Sequence, residues 1–158
     1  REIVIPEGIV EIAENTFSGF ENLESVIFPK SLQLVSASAF AGCKNLKTVN
    51  MNFGLLEIGD EAFSSCTSLV SVTVPDSVKR IGMGAFEACA NLQKIKLSES
   101  VYMIGALAFA YCFNLTICNK NISSPTLTFR NESSTLYKQL CHTHFYKTGD
   151  QTGRPIVK

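Results

Sequence analysis

The sequence predicts a solenoid of stacked 23-residue coils, and three observations predict it. Phe17, Phe40, Phe63, Phe86 and Phe109 recur at a constant step of 23. Four further apolar columns keep that step in one register: Leu23, Leu46, Leu69, Leu92, Leu115; Ile12, Val35, Ile58, Ile81, Ile104; Ile9, Leu32, Leu55, Val78, Val101; and Ile3, Val26, Val49, Val72, Ile95, Cys118. Small residues repeat as well, with Cys43, Cys66, Cys89 and Cys112 following Phe20, and Ala39, Ala62, Ala85 and Ala108 following Thr16. A single coil of this length cannot enclose its own apolar side chains, so coils must stack. Like positions then superpose at about 4.8 Å, the inter-strand spacing. The phenylalanine column becomes an aromatic spine.

Within a coil, Leu23-x-x-Val26-x-Phe28-Pro29 reads as a short strand, repeated by Leu69-x-x-Val72-x-Val74-Pro75. Apolar residues alternate at period two, and proline ends the pairing because it has no N–H to donate. Asn52 and Ser98 stand in place of proline in two coils. The other side of the coil, Ile58-Gly59-Asp60-Glu61-Ala62-Phe63, reads as a turn with one short helical or 3₁₀ turn. Gly59, Gly82 and Gly105 are expected to supply backbone freedom there.

After about Cys118 the period fails. Leu127–Phe129 reads as a short strand, followed by a helix capped by Ser133 or Ser134, with Tyr137, Leu140 and Cys141 on one face. The expected organisation is a repeat array over 1–118 and a C-terminal capping segment and tail over 119–158. At the other end the chain enters directly at a strand, Glu2–Pro6, as expected of a piece of a larger protein.

With 46% hydrophobic residues the chain can bury a core, and its formal charge of zero removes the electrostatic case for nucleic acid. Attachment to an anionic membrane is disfavoured for the same reason. The longest apolar stretch, around Gly105–Phe113, is too short to span a bilayer.

The pattern C-x-x-L-x-x-[VI]-x-[apolar]-P, followed by an apolar-x-x-I-G-x-x-A-F block, resembles the BspA-like (Treponema-type) leucine-rich repeat. Cys66, Leu69, Val72, Val74, Pro75, Val78, Ile81, Gly82, Ala85 and Phe86 read it almost completely. The resemblance runs from residue 1 to about 118. The first coil departs from it at Phe20 and Ala13, as an end coil does. It implies a leucine-rich-repeat solenoid, a right-handed superhelix with short parallel strands on the concave face and turns on the convex face. It also implies a surface or secreted location and an adhesin-like role toward host or microbial proteins. It carries over no catalytic residue, because the motif is structural.

Six cysteines raise the questions of disulfides and metal. The ladder Cys43, Cys66, Cys89, Cys112 reads as buried thiols acting as small hydrophobes, and the chain has no C-x-x-C pair to suggest a zinc ribbon. Replacing the ladder by serine is expected to leave hydroxyls unsatisfied. Cys118 and Cys141 either pair, pinning the tail to the last coil, or both stay free thiols. His142 and His144 follow Cys141, but a spacing of two suits one ligand face poorly, so exposed polar residues are the plainer reading. Asp60 and Glu61 are expected on solvated turn surface. No nucleophile elbow or phosphate loop appears. The sequence therefore nominates no catalytic, cofactor-binding or metal-ligating residue. Asn114, Asn121 and Asn131 fit the glycosylation acceptor pattern, although Asn114 also belongs to a turn column with Asn22, Asn45 and Asn91.

The remaining candidate is the strand face, where two outward positions per coil point to solvent: Glu2 and Val4, Ser25 and Ile27, Thr48 and Asn50, Ser71 and Thr73, Lys94 and Lys96, Ile117 and Asn119. Solenoids use such strips for recognition, although ordinary variable surface would look the same. The candidate partner-binding strip is Ser25, Ile27, Lys47, Thr48, Asn50, Ser71, Thr73, Gln93, Lys94 and Lys96. Lys47, Gln93, Lys94 and Lys96 form a modest basic end suited to an acidic protein patch or a glycan. The expected function is a non-enzymatic protein-interaction module, without cofactor, nucleic-acid partner or membrane insertion. The alternative is a structural spacer with no ligand of its own.

Overall fold

The computed structural model describes residues 1–98, 100–117 and 128–129. Each coil contributes two short strands. One series is β1 (Glu2–Val4), β3 (Ser25–Ile27), β5 (Thr48–Asn50), β7 (Ser71–Thr73), β9 (Lys94–Lys96) and β11 (Thr116–Ile117). The other is β2 (Glu11–Ile12), β4 (Leu34–Val35), β6 (Glu57–Ile58), β8 (Arg80–Ile81), β10 (Met103–Ile104) and β12 (Thr128–Phe129). All pairing is parallel, and between most successive coils it advances by the repeat length, as in Ser25↔Thr48 and Glu57↔Arg80. The second series forms one continuous six-stranded ladder. The first is interrupted: β1-β3-β5 and β7-β9-β11 are separate three-stranded sheets.

The interior is the predicted set of columns. Phe40, Phe63, Phe86 and Phe109 are fully buried, as are Leu46, Leu69, Leu92, Ile58 and Ile81. The phenyl rings stack face to face, with centroids 5.1 Å apart for Phe17 and Phe40 and 5.5 Å apart for Phe86 and Phe109. In the first coil Ile9 and Phe20 are exposed while Phe17 and Ile3 are only partly buried.

Three local expectations change. The segment expected to carry a helical or 3₁₀ turn is the strand β6 followed by turns, and no helix occurs among the described residues. Its backbone amides alternate in destination. Ala39 and Ala41 N–H bond back to Ser36 and Ser38 within the coil, while Ser38, Phe40 and Gly42 N–H reach Asp60, Ala62 and Ser64 of the next coil. Glu61, Ala62 and Phe63 N–H repeat the pattern one coil on, bonding to Met83, Gly59 and Ala85, so these amides are satisfied without a helix.

The second change concerns glycine. Gly59, Gly82 and Gly105 do not adopt positive φ. A Cβ at Gly59 would lie 2.8 Å from the Val35 carbonyl oxygen, and one at Gly82 would lie 2.5 Å from Asp60 N and the Gly59 carbonyl carbon. Close approach of successive coils, rather than backbone freedom, requires glycine in this column. Left-handed backbone sits instead at Asn15, Ser38, Glu61, Gly84 and Leu107, and at Gly19, Gly42, Ser65, Ala88 and Tyr111, with φ between 53° and 71°.

The third change is at the end of the array. Ile117, not Cys118, lies opposite Ile95, because β11 pairs one residue short of the repeat. A one-residue slip exchanges the two sides of a strand, so the outward assignment of Ile117 does not follow. The strand expected near Phe129 is β12, which extends the second ladder through Met103↔Thr128. The helix expected after Ser133, the Cys118 and Cys141 pair, His142, His144, Asn119, Asn121 and Asn131 lie outside the described residues.

Candidate functional site

The outward strand positions are held by the alternation itself. In β5, β7 and β9 the central residue is buried and its two neighbours are exposed. Thr48, Asn50, Ser71, Thr73, Lys94 and Lys96 therefore form one row of solvent-facing side chains, and Lys47 and Gln93 are exposed beside it. Ser25 and Ile27 continue the row but are half-buried.

The predicted basic end divides. Lys47 pairs with Glu24, Nζ to carboxylate, at 2.7 Å. A hydrogen bond from Lys47 holds the Glu24 carboxyl below its ordinary range. Glu2 accepts a hydrogen bond from Ser25 Oγ at 3.0 Å. One end of the row is thus charge-balanced, and Lys94 and Lys96 remain as two adjacent exposed ammonium groups at the other. Asp60 is not simple solvated surface. It is half-buried, and its Oδ1 accepts from Met83 N at 2.8 Å and from Arg80 at 3.3 Å, tying one coil to the next. Arg80 also contacts Glu57. Glu61 is exposed.

Between β5 and β7 the row crosses the interruption in the sheet. The amides of Ile5, Phe28 and Val74 donate to Ile27, Asn50 and Lys96 of the following coil. The equivalent Met51 amide has no such partner among the described residues, and no backbone bond joins β5 to β7. A cleft of about 360 Å³ opens there, lined by Thr48, Val49, Asn50, Met51, Asn52, Phe53, Ser71, Thr73 and Pro75. Sequence reasoning missed it as a site. The available signal was the loss of the repeat at Asn52 and Phe53, which replace proline and a charged residue.

The cysteine ladder is structural. Cys43, Cys66, Cys89 and Cys112 donate Sγ–H to the carbonyls of Phe17, Phe40, Phe63 and Phe86 in the preceding coil, at 3.0–3.3 Å. Burial pushes the Cys43 and Cys66 thiols up, and a hydrogen bond with Cys112 together with burial does so for Cys89. Serine at these positions would face a ready acceptor, so the expected unsatisfied hydroxyl does not arise. Among the described residues no group of three or more His, Cys, Asp or Glu side chains could hold a metal ion. Among them there is no helix long and apolar enough to cross a membrane.

Comparison with known proteins agrees with this architecture. The chain is similar to a leucine rich cell surface protein of Faecalibacterium prausnitzii, at 29% identity and a TM-score of 0.71 over 73% of this chain and 31% of that one. It is similar to the leucine rich repeat protein of T. pallidum, at 34% identity and a TM-score of 0.71, covering 73% of this chain and 57% of that one. It also resembles a leucine-rich repeat protein of Bacteroides ovatus, at 31% identity and a TM-score of 0.54, covering 75% of this chain and 37% of that one. This chain therefore spans between about a third and somewhat over half of these relatives. A search of curated proteins found no match. The model of the BspA type leucine rich repeat region matches residues 1–137 in six copies, and the chain belongs to that family.

Proposed function

We propose that this chain is a non-enzymatic, adhesin-like module of a cell-surface or secreted protein, binding a host or microbial surface protein through its outward strand side chains. Repeat solenoids generally serve as protein-interaction scaffolds, because stacking presents one extended row of variable side chains on an invariant core. The observation that carries the reading is that row: Thr48, Asn50, Ser71, Thr73, Lys94 and Lys96 are exposed while the residues between them are buried. The core requires apolar side chains in the buried columns and places no such demand on the exposed ones. The description of the F. prausnitzii protein as a cell surface protein supports the location. In this reading residues 1–118 are the binding array and 119–158 close its open end.

The lysine pair gives the reading a direction. Two adjacent ammonium groups with no carboxylate partner among the described residues favour an acidic patch on the partner and speed encounter at low salt. The test is capture of candidate surface proteins by the chain and by a Lys94→Glu, Lys96→Glu variant. The expected result is capture that weakens at least about tenfold in the variant, with an unchanged melting curve. A chain that captures no surface protein would instead be a spacer.

A further inference from the structure

We propose that the cleft between β5 and β7 binds a neutral saccharide, with Phe53 as the stacking platform. The inference uses the same exposed side as the proposed protein-binding row but does not need the lysine pair.

Three independent observations converge on the cleft. The first is composition. Its nine lining residues include no charged side chain, although Lys47, Asp76 and Lys79 are close by in sequence. A neutral lining disfavours phosphates, carboxylates and metal ions as ligands. Asn50, Asn52, Thr48, Ser71 and Thr73 offer amides and hydroxyls, groups that both donate and accept. This is the pattern that matches the adjacent hydroxyls of a sugar ring, each of which is itself donor and acceptor.

The second is Phe53. Its column otherwise holds Glu7, Lys30, Asp76 and Glu99. A charged residue is thus the rule at this point of the coil, and coil three alone places an aromatic ring there, 73% exposed. The ring stabilises no core. An exposed aromatic face beside polar groups offers an apolar plane on which the C–H face of a sugar can lie.

The third is the way the cleft is built. Asn52, standing in the proline column, donates its side-chain amide to the Phe28 carbonyl at 2.5 Å. Gly54, at φ +131°, packs against the Lys30 carbonyl so closely that no side chain would fit. Both contacts draw this loop toward the preceding coil. The link to the following coil is reduced to Gly54 N–H on Ser77 Oγ at 3.2 Å. The strands part, Val49 gains slight exposure, and Met51 is half-buried where Phe28 and Val74 are fully buried. β5 and β7 still approach within 8 Å, whereas an inserted strand needs roughly 9.6 Å, twice the strand spacing. A peptide strand therefore does not enter. The volume of about 360 Å³ lies within the range of about 300–1,000 Å³ typical of small-molecule sites.

The test is an NMR titration of the isotope-labelled chain with neutral hexose and N-acetylhexosamine tetrasaccharides, with a sialylated tetrasaccharide and a neutral peptide as controls. Shifts confined to residues 48–53 and 71–75 are expected, with a Kd on the order of 1 mM. Phe53→Ala should weaken binding at least about tenfold, Phe53→Tyr should keep it, and Lys94→Glu with Lys96→Glu should leave it unchanged. The ring is exposed, so Phe53→Ala should fold, which a melting curve verifies. The proposal is overturned if no neutral saccharide shifts these residues at roughly 20 mM, if binding survives Phe53→Ala, or if the peptide or the charged saccharide binds in place of the neutral ones.

Discussion

At Gly82 a methyl group would meet Asp60 N and the Gly59 carbonyl carbon at 2.5 Å, and both are backbone atoms that cannot turn aside. Gly82→Ala should lower unfolding stability by about 3 kcal/mol, the upper range for overpacking. Ala88 poses the opposite problem. It holds φ at 55° because its N–H must reach the Ala110 carbonyl of the next coil, and a left-handed conformation is costly for a residue with a Cβ. Ala88→Gly should therefore raise stability by about 0.5 kcal/mol after the entropy of the more flexible unfolded chain is subtracted. Urea unfolding of the two variants checks both signs. A glycine repeating at one position looked like a demand for flexibility, and the structure makes it a demand for space. The left-handed columns were faint in the sequence because only Gly84, Gly19 and Gly42 are glycine there, while Asn15, Ser38, Glu61, Leu107, Ser65, Ala88 and Tyr111 are not.

The two strand series behave differently along the stack. The ladder through β6 and β8 is unbroken, whereas β5 and β7 share no backbone hydrogen bond. The Met51 amide should accordingly exchange with solvent deuterium at least about tenfold faster than those of Phe28 and Val74, its equivalents in neighbouring coils. Equal protection at all three would close the cleft and remove the basis for ligand binding there. The period predicted every strand of the first series from β1 to β9, since alternation of buried and exposed residues is a local property. Apart from β12, which the sequence showed as the strand near Phe129, the second series was not foreseen. Two-residue strands such as Glu57–Ile58 have no pattern of their own and form only because the next coil lies alongside. The candidate row was legible for the same reason as the first series, and the cleft was not, because a gap between strands is a relation between coils.

Across the whole molecule stability is transmitted by neighbours. Each phenyl ring stacks on the next, with Phe40–Phe63 and Phe63–Phe86 at 5.2 and 5.3 Å. Phe63→Ala should cost about 3–5 kcal/mol, and amide protection should fall in the coils on both sides as well as in its own. A melting midpoint that stays in place would contradict a shared interior. Nearest-neighbour coupling of this kind is the rule in repeat arrays.

The sequence by itself determined the repeat length, the buried columns and the exposed row, because a pattern of apolar spacing already states which side chains must leave water together. Only the tertiary structure decided the closeness of the coils at Gly59, Gly82 and Gly105, the left-handed turns, the thiol bonds to carbonyls 26 residues earlier and the parting of β5 from β7. Each of those depends on the distance between two coils, and that distance exists only once one coil has settled on another.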